Sequence, residues 1–185
     1  MCSPATSQIT LQTARLVLEP VRDEFAQALY DHINDWQVIR WLAAPPWPYK
    51  LDDMHGWIAS ATAARAERRG IDYAILLAGM PIGAVGVAGI RTGPVLGYWL
   101  ARPYWGQGFM SEAVAAVIEH LFEDGHIFIA SGILEGNAAS LRVQEKLGFR
   151  AVNERFIHAR PHGKLMPHID TVLGKRRWCA LRYAA

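Results

Sequence analysis

Cysteine is nearly missing from this 185-residue chain, with Cys2 and Cys179 standing at opposite ends. Two thiols so placed supply neither a disulfide framework nor the paired spacing of a zinc site. An excess of charge is missing too. Nineteen lysines and arginines against 17 acidic residues leave a net charge of +2, too little to hold a nucleic acid by its phosphates. The one basic run, Lys175-Arg176-Arg177, reads as a solvated turn. The nearest histidines, His158, His162 and His168, have neither cysteines beside them nor a H-x-x-x-H helix to carry them, Pro161 interrupting the one such spacing, so no metal is expected. Tyr73–Ile90 is uncharged over 18 residues, but Gly79-Met80-Pro81 breaks it into two buried strands and a turn. The opening MCSPATSQITLQTARLV has no apolar run behind a basic start. A cytoplasmic protein without membrane or nucleic-acid partners is expected.

What is present is ordinary globular material, 51% hydrophobic and 19% charged, enough for one core in one domain over residues 1–185. Ala14–Pro20 alternates as a first strand, and Arg22–Asn34 follows as a helix with Phe25, Leu29, His32 and Ile33 on one face. The proline- and aromatic-rich WLAAPPWPYK cannot be regular helix. Leu51–Arg69 reads as a second helix stopped by Gly70, and strands follow over Asp72–Leu77, Ile82–Ile90 and Val95–Leu100. After a helix come a strand over Ile127–Leu134 and a helix from Asn137 to Gly148. Phe149–Leu181 reads as two or three strands around a polar loop, Arg155–Pro167. The order β-α-α-β-β-β-α-β-α-β-β implies an α/β (α+β mixed) sheet with helices on its faces.

The most informative stretch is VLGYWLARPYWGQGFMSEA, Val95–Ala113. A short strand runs into a turn with Gly106 and Gly108, then into a helix whose Val114, Val117, Ile118 and Leu121 recur at the 3.6 period. Glycines there let backbone N–H groups approach an anion, and the helix start adds unpaired donors and partial positive charge. It is not a Rossmann fingerprint, because Ser111 stands where the third glycine or alanine belongs, and no P-loop motif occurs.

This stretch, followed by NAASLRVQEKLGF, resembles the GNAT-type acyl-CoA N-acetyltransferases. The opening LQTARLVLEPVRDEFAQALYDHINDWQVIRWL is similar to the branch that includes the ribosomal-protein N-terminal acetyltransferases RimJ and RimL. The likeness runs from about residue 10 to 178. It implies one GNAT-like domain, a mostly antiparallel twisted sheet with helices on both faces. It further implies acetyl-CoA as co-substrate, its pyrophosphate held by the amides of Trp105, Gly106, Gln107, Gly108, Phe109 and Met110. Pro103 replaces the family's first polar residue in that turn. The strand Val95–Leu100 would splay from Ile127–Leu134, and the pantetheine arm would lie in the gap. Asn137 is a good helix cap in its own right, and the resemblance adds a contact to pantetheine; Ser140 would sit beside the thioester sulfur.

Acetyl transfer needs an unprotonated amine, an oxyanion contact and a departing thiol. The resemblance assigns the oxyanion N–H to the glycine-rich strand Ile82–Ile90, bulged at Gly86 or Gly89. The general base stays open among Tyr98, Asp72, Glu135, His158, His168, Asp170 and a water relay. Trp41–Tyr49 is a stiff aromatic segment suited to be an acceptor wall, with Trp47 at its centre, or simply helix packing. The expected enzyme transfers acetyl directly to a primary amine, a protein N-terminus or a small molecule. The alternatives are a non-catalytic coenzyme-binding sensor or scaffold and, more distantly, a nucleotide-binding protein. Exposed strands near the C-terminus leave room for a homodimer.

Overall fold

The computed structural model describes residues 10–183; Cys2 lies outside them. The strands are β1 (Leu11–Gln12), β2 (Leu16–Pro20), β3 (Gly70–Leu77), β4 (Met80–Ala88), β5 (Val95–Leu100), β6 (Phe128–Leu134), β7 (Arg150–Ala159) and β8 (Lys164–Gly174). The helices are α1 (Ala26–Ile33), α2 (Trp36–Ile39), α3 (Leu51–Ala66), α4 (Phe109–Glu123), α5 (Ala138–Leu147) and α6 (Lys175–Tyr183). One eight-stranded sheet has the order β1-β2-β3-β4-β5-β6-β8-β7. Every pairing is antiparallel except β5 with β6.

Side chains alternate across this sheet into two apolar layers. Tyr73, Ile75, Val85, Val87 and Leu96 face α4, whose Val114, Val117, Ile118 and Leu121 are buried on them. Ala74 and Leu76 face the other way, onto α1 and α3, where Leu29, Met54 and Ile58 are buried. The uncharged Tyr73–Ile90 run is thus the β3–β4 hairpin at the centre of both layers. Among the described residues no helix is long and apolar enough to cross a membrane.

Three expectations change. Arg155–Pro167 is not a loop, because β7 and β8 pair from Arg150↔Val172 out to Ala159↔Lys164. Its polar side chains are those of an exposed edge strand, which reads as loop when its partner is unknown. Lys175-Arg176-Arg177 opens α6 rather than forming a turn; that helix is anchored where the buried Trp178 donates its indole N–H to Glu119 at 2.7 Å. Gly70 does not stop α3, which ends at Ala66, but begins β3. The expected bulge also moves. The β3–β4 register shifts between Ile75 and Leu76, leaving Ile82 as the extra residue, while Gly86 pairs regularly with Asp72 and Gly97.

Candidate active site

Parallel β5 and β6 meet only at Val95↔Ala130, and from there they part. A side chain occupies the parting point. Ser131 donates its hydroxyl to the Leu96 carbonyl at 2.9 Å, Gln144 donates to Ser131 at 3.0 Å, and Thr171 donates to Gln144 at 2.6 Å. All three side chains are buried and mutually satisfied. Beyond them the strands enclose a cavity of about 480 Å³. Its walls are Gly97–Leu100 of β5, Ser131–Leu134 of β6, the turn after β5, the α5 face from Asn137 to Lys146, the segment from Val38 to Ala43, and His168.

The turn is built as a cradle of amides. Gly106 and Gly108 hold φ of 74° and 80°, and α4 begins at Phe109. Among the described residues the N–H groups of Gly106, Gln107, Gly108, Phe109 and Met110 find no backbone acceptor, and a β-carbon added at Gly106 would meet nothing within 4 Å. Trp105 differs: its amide donates to Arg102 at 3.2 Å and its indole to Leu100 at 2.7 Å. It therefore braces the turn against β5.

The turn is tied to the start of the chain by a contact the sequence did not advertise. Arg15 pairs with Glu112 at 2.7 Å, donates to the Gln107 carbonyl at 3.1 Å and lies 4.3 Å from the Phe109 ring centre. Burial pushes the Glu112 carboxyl up, but hydrogen bonds from Thr13 and Arg15 outweigh it and hold the pKa below the ordinary value.

Asn137 caps α5 by accepting the Ser140 N–H at 3.1 Å. One turn of helix then presents the Ser140 hydroxyl to the Tyr98 phenol at 2.8 Å. Burial raises the Tyr98 pKa, with the Ser140 hydrogen bond acting against it, so the phenol stays protonated at neutral pH. Arg142 and Lys146 of the same helix add positive charge to the cavity wall.

Of the proposed bases, only Tyr98 and His168 line the cavity. Asp170 stands behind His168, its Oδ1 3.1 Å from Nδ1. Asp72 is two strands away, over Gly86, and His158 is exposed on β7. The strand expected to supply the oxyanion N–H does not reach the cavity, because β5 lies between β4 and the gap. The Ala101 N–H bonds to the Ile82 carbonyl, so alternation turns the N–H groups of Tyr98 and Leu100 toward the cavity instead. The aromatic wall shifts as well. Trp41, Leu42 and Ala43 line the cavity, whereas Trp47 packs 5.4 Å from Trp36.

An anion cradle of backbone amides beside a pair of splayed parallel strands is the framework of a coenzyme A-dependent acyltransferase. A family model described as an acetyltransferase (GNAT) domain matches residues 15–150, and the chain belongs to that family. It is an acetyl-CoA-dependent N-acyltransferase. It is 28% identical over 152 residues to the uncharacterized N-acetyltransferase YoaA of Bacillus subtilis, covering 76% of this chain and 82% of that one. Solved structures share the fold. Mycobacterium smegmatis RimJ in complex with CoA-disulfide superimposes with a TM-score of 0.79 at 19% identity, over 96% of this chain and 93% of that one. RimL, the ribosomal L7/L12 alpha-N-protein acetyltransferase in complex with coenzyme A, gives 0.80 at 17% identity, over 90% and 98%.

Proposed function

We propose that residues 1–185 act as one domain that acetylates primary α-amines of protein or peptide N-termini, with small-molecule amines as the competing class. The observation that carries this reading is the row of unpartnered amides at Gly106–Met110, opening onto the gap between β5 and β6. Those amides, with Trp105 bracing them, bind the coenzyme's diphosphate at the positive end of α4. Asn137 meets the pantetheine arm, which adds to the free edge of β5 as an extra strand would. The thioester then reaches the Ser140–Tyr98 pair, where Ser140 donates to the departing sulfur. Among the described residues the cavity wall offers no carboxylate. An α-amine with pKa near 8 is roughly a tenth unprotonated at pH 7, against a few parts in ten thousand for lysine. The RimL neighbour, by its own description an alpha-N-protein acetyltransferase, points to the same acceptor class.

The test is thiol release from acetyl-CoA with three peptides: a free α-amine without lysine, a blocked N-terminus with lysine, and both blocked. Turnover confined to the first supports the reading. Turnover on the second alone, or only on polyamines or aminoglycosides, replaces the acceptor class.

A further inference from the structure

We propose that His168 is the general base of the transfer, accepting the amine proton on Nε2, and that Asp170 is the residue that positions it. The inference rests on the N-acetyltransferase reading above and concerns the same cavity.

The placement follows from strand register. On β6, Ile129 belongs to the α4 layer and Ser131 bonds to Gln144 of α5, so Gly132 and Leu134 face the opposite side. On β8, His168 pairs with Leu134 and Asp170 with Gly132, and both therefore share that opposite face. The segment from Val38 to Ala43 lies on this side, for Ile39 is buried with α1 and α3. Ser140 and Tyr98 stand on the α5 side. The gap between β5 and β6 thus has a histidine on one face of the sheet and a hydroxyl pair on the other. A thioester lying in the gap presents its carbonyl carbon to an amine arriving along Trp41, and its sulfur to Ser140.

His168 is held where this chemistry needs it. A β-carbon at Gly132 would fall on Cε1 and Nε2 of the imidazole, so the ring rests on a glycine floor. Nε2 makes no hydrogen bond to the described residues, while Nδ1 sits 3.1 Å from Asp170 Oδ1, off the line of a hydrogen bond. Asp170 is fixed in turn by Arg155 at 2.8 Å and by Asn153 at 3.1 Å. Those hydrogen bonds from Arg155 keep its carboxyl ionised. A small turn of the ring aligns Nδ1–H with that carboxylate and leaves Nε2 as the lone-pair nitrogen.

The charged groups around the ring set its protonation. Burial lowers its pKa, Asp170 on β8 opposes this and Arg155 on β7 reinforces it. Arg142 and Lys146 of α5 line the same cavity. The imidazole is therefore neutral at pH 7 and free to take a proton. In the step itself, the amine lone pair forms the N–C bond and the amine proton passes to Nε2. The C–S bond then breaks as the carbonyl re-forms, the thiolate takes a proton from water through the Ser140 hydroxyl, and the imidazolium returns its proton to solvent. Products are the amide and free thiol.

The experiment measures kcat/KM against pH with acetyl-CoA and two acceptors of different basicity, an alanyl peptide and a more basic β-alanyl peptide. It is run on wild type, His168→Gln and Asp170→Asn, with imidazole titration by NMR and coenzyme A affinity by calorimetry. General-base catalysis is worth about 10²–10⁴-fold, and a loss of that order is expected in His168→Gln with coenzyme affinity within twofold. Wild type should show an acidic limb at the His168 pKa seen by NMR, at the same pH for both acceptors, and absent from His168→Gln. Asp170→Asn should move that limb to lower pH. A His168→Gln variant within threefold of wild-type kcat overturns the proposal. So does one whose activity and coenzyme affinity fall together, and an unmoved limb in Asp170→Asn removes the positioning role. Wild-type protein that binds coenzyme but acetylates neither amine overturns the α-amine acceptor reading, and the base proposal with it.

Discussion

Ser131 Oγ stands 2.9 Å from the Leu96 carbonyl, on the first rung where β5 and β6 cease to pair. The hydroxyl takes the place of a ladder hydrogen bond, so the strands can separate without leaving that carbonyl unpaired. Ser131→Ala removes the donor to Leu96 and the acceptor for Gln144 together, in a buried setting. The expected cost is about 1–3 kcal/mol of unfolding free energy, read from denaturant melts with unchanged slope. The KM for acetyl-CoA should rise as the gap loses its fixed width. An alanine variant as stable as wild type would show that water replaces the hydroxyl.

Gly106 separates backbone strain from coenzyme binding. Its φ of 74° is unfavourable for alanine, yet an added β-carbon would touch nothing within 4 Å. Gly125, at the far end of α4, has φ of 99° and equally open space, and serves as the control. Both alanine variants should lose about 1–2 kcal/mol of stability. Only Gly106→Ala should raise the acetyl-CoA dissociation constant, tenfold or more by calorimetry. Equal affinities for the two variants would remove the diphosphate from this turn.

Much of this arrangement could be read in the chain because its signals are local. Val95–Leu100 has the same bounds in sequence and structure, and α5 is bracketed by an asparagine cap and a left-handed Gly148. The glycine turn likewise announces itself within a few residues. What was hidden depends on register. Ser131, Gln144 and Thr171 meet across separations of 13 and 27 residues, and Arg15 and Glu112 across 97. His168 became distinguishable from the other candidate bases only once β8 was placed beside β6. The outer half of β7, from Arg155, reads as loop for the related reason that an exposed edge strand has no apolar period to detect.

Trp41 and Trp47 divide the aromatic segment between two duties. Trp41 lines the cavity together with His168, on the side proposed for the amine, while Trp47 is 40% exposed and packs on Trp36. Trp41→Ala should therefore raise the acceptor KM about tenfold, the equivalent of about 1.4 kcal/mol, with the KM for acetyl-CoA within twofold. Trp47→Ala should leave both constants within twofold. Steady-state kinetics with the preferred peptide decide it, and a larger acceptor effect from Trp47 would return the wall to that residue.

Asp72 gives stability a pH dependence of its own. Its carboxyl lies over Gly86, on the spot a β-carbon there would take, and burial lifts its pKa from 3.8 to about 6. The folded state thus binds the proton more tightly than the unfolded chain. Stability from this group is complete below pH 3.8 and is lost as pH rises through about 6. At 1.36 kcal/mol per pH unit the loss is at most roughly 3 kcal/mol. Asp72→Asn keeps the shape but cannot ionise. Urea unfolding at pH 4.5, 6 and 7.5 should show wild type weakening relative to the variant as pH rises, with the widest gap at 7.5. Parallel stability curves for the two proteins would mean that Asp72 ionises as readily in the folded sheet as in water.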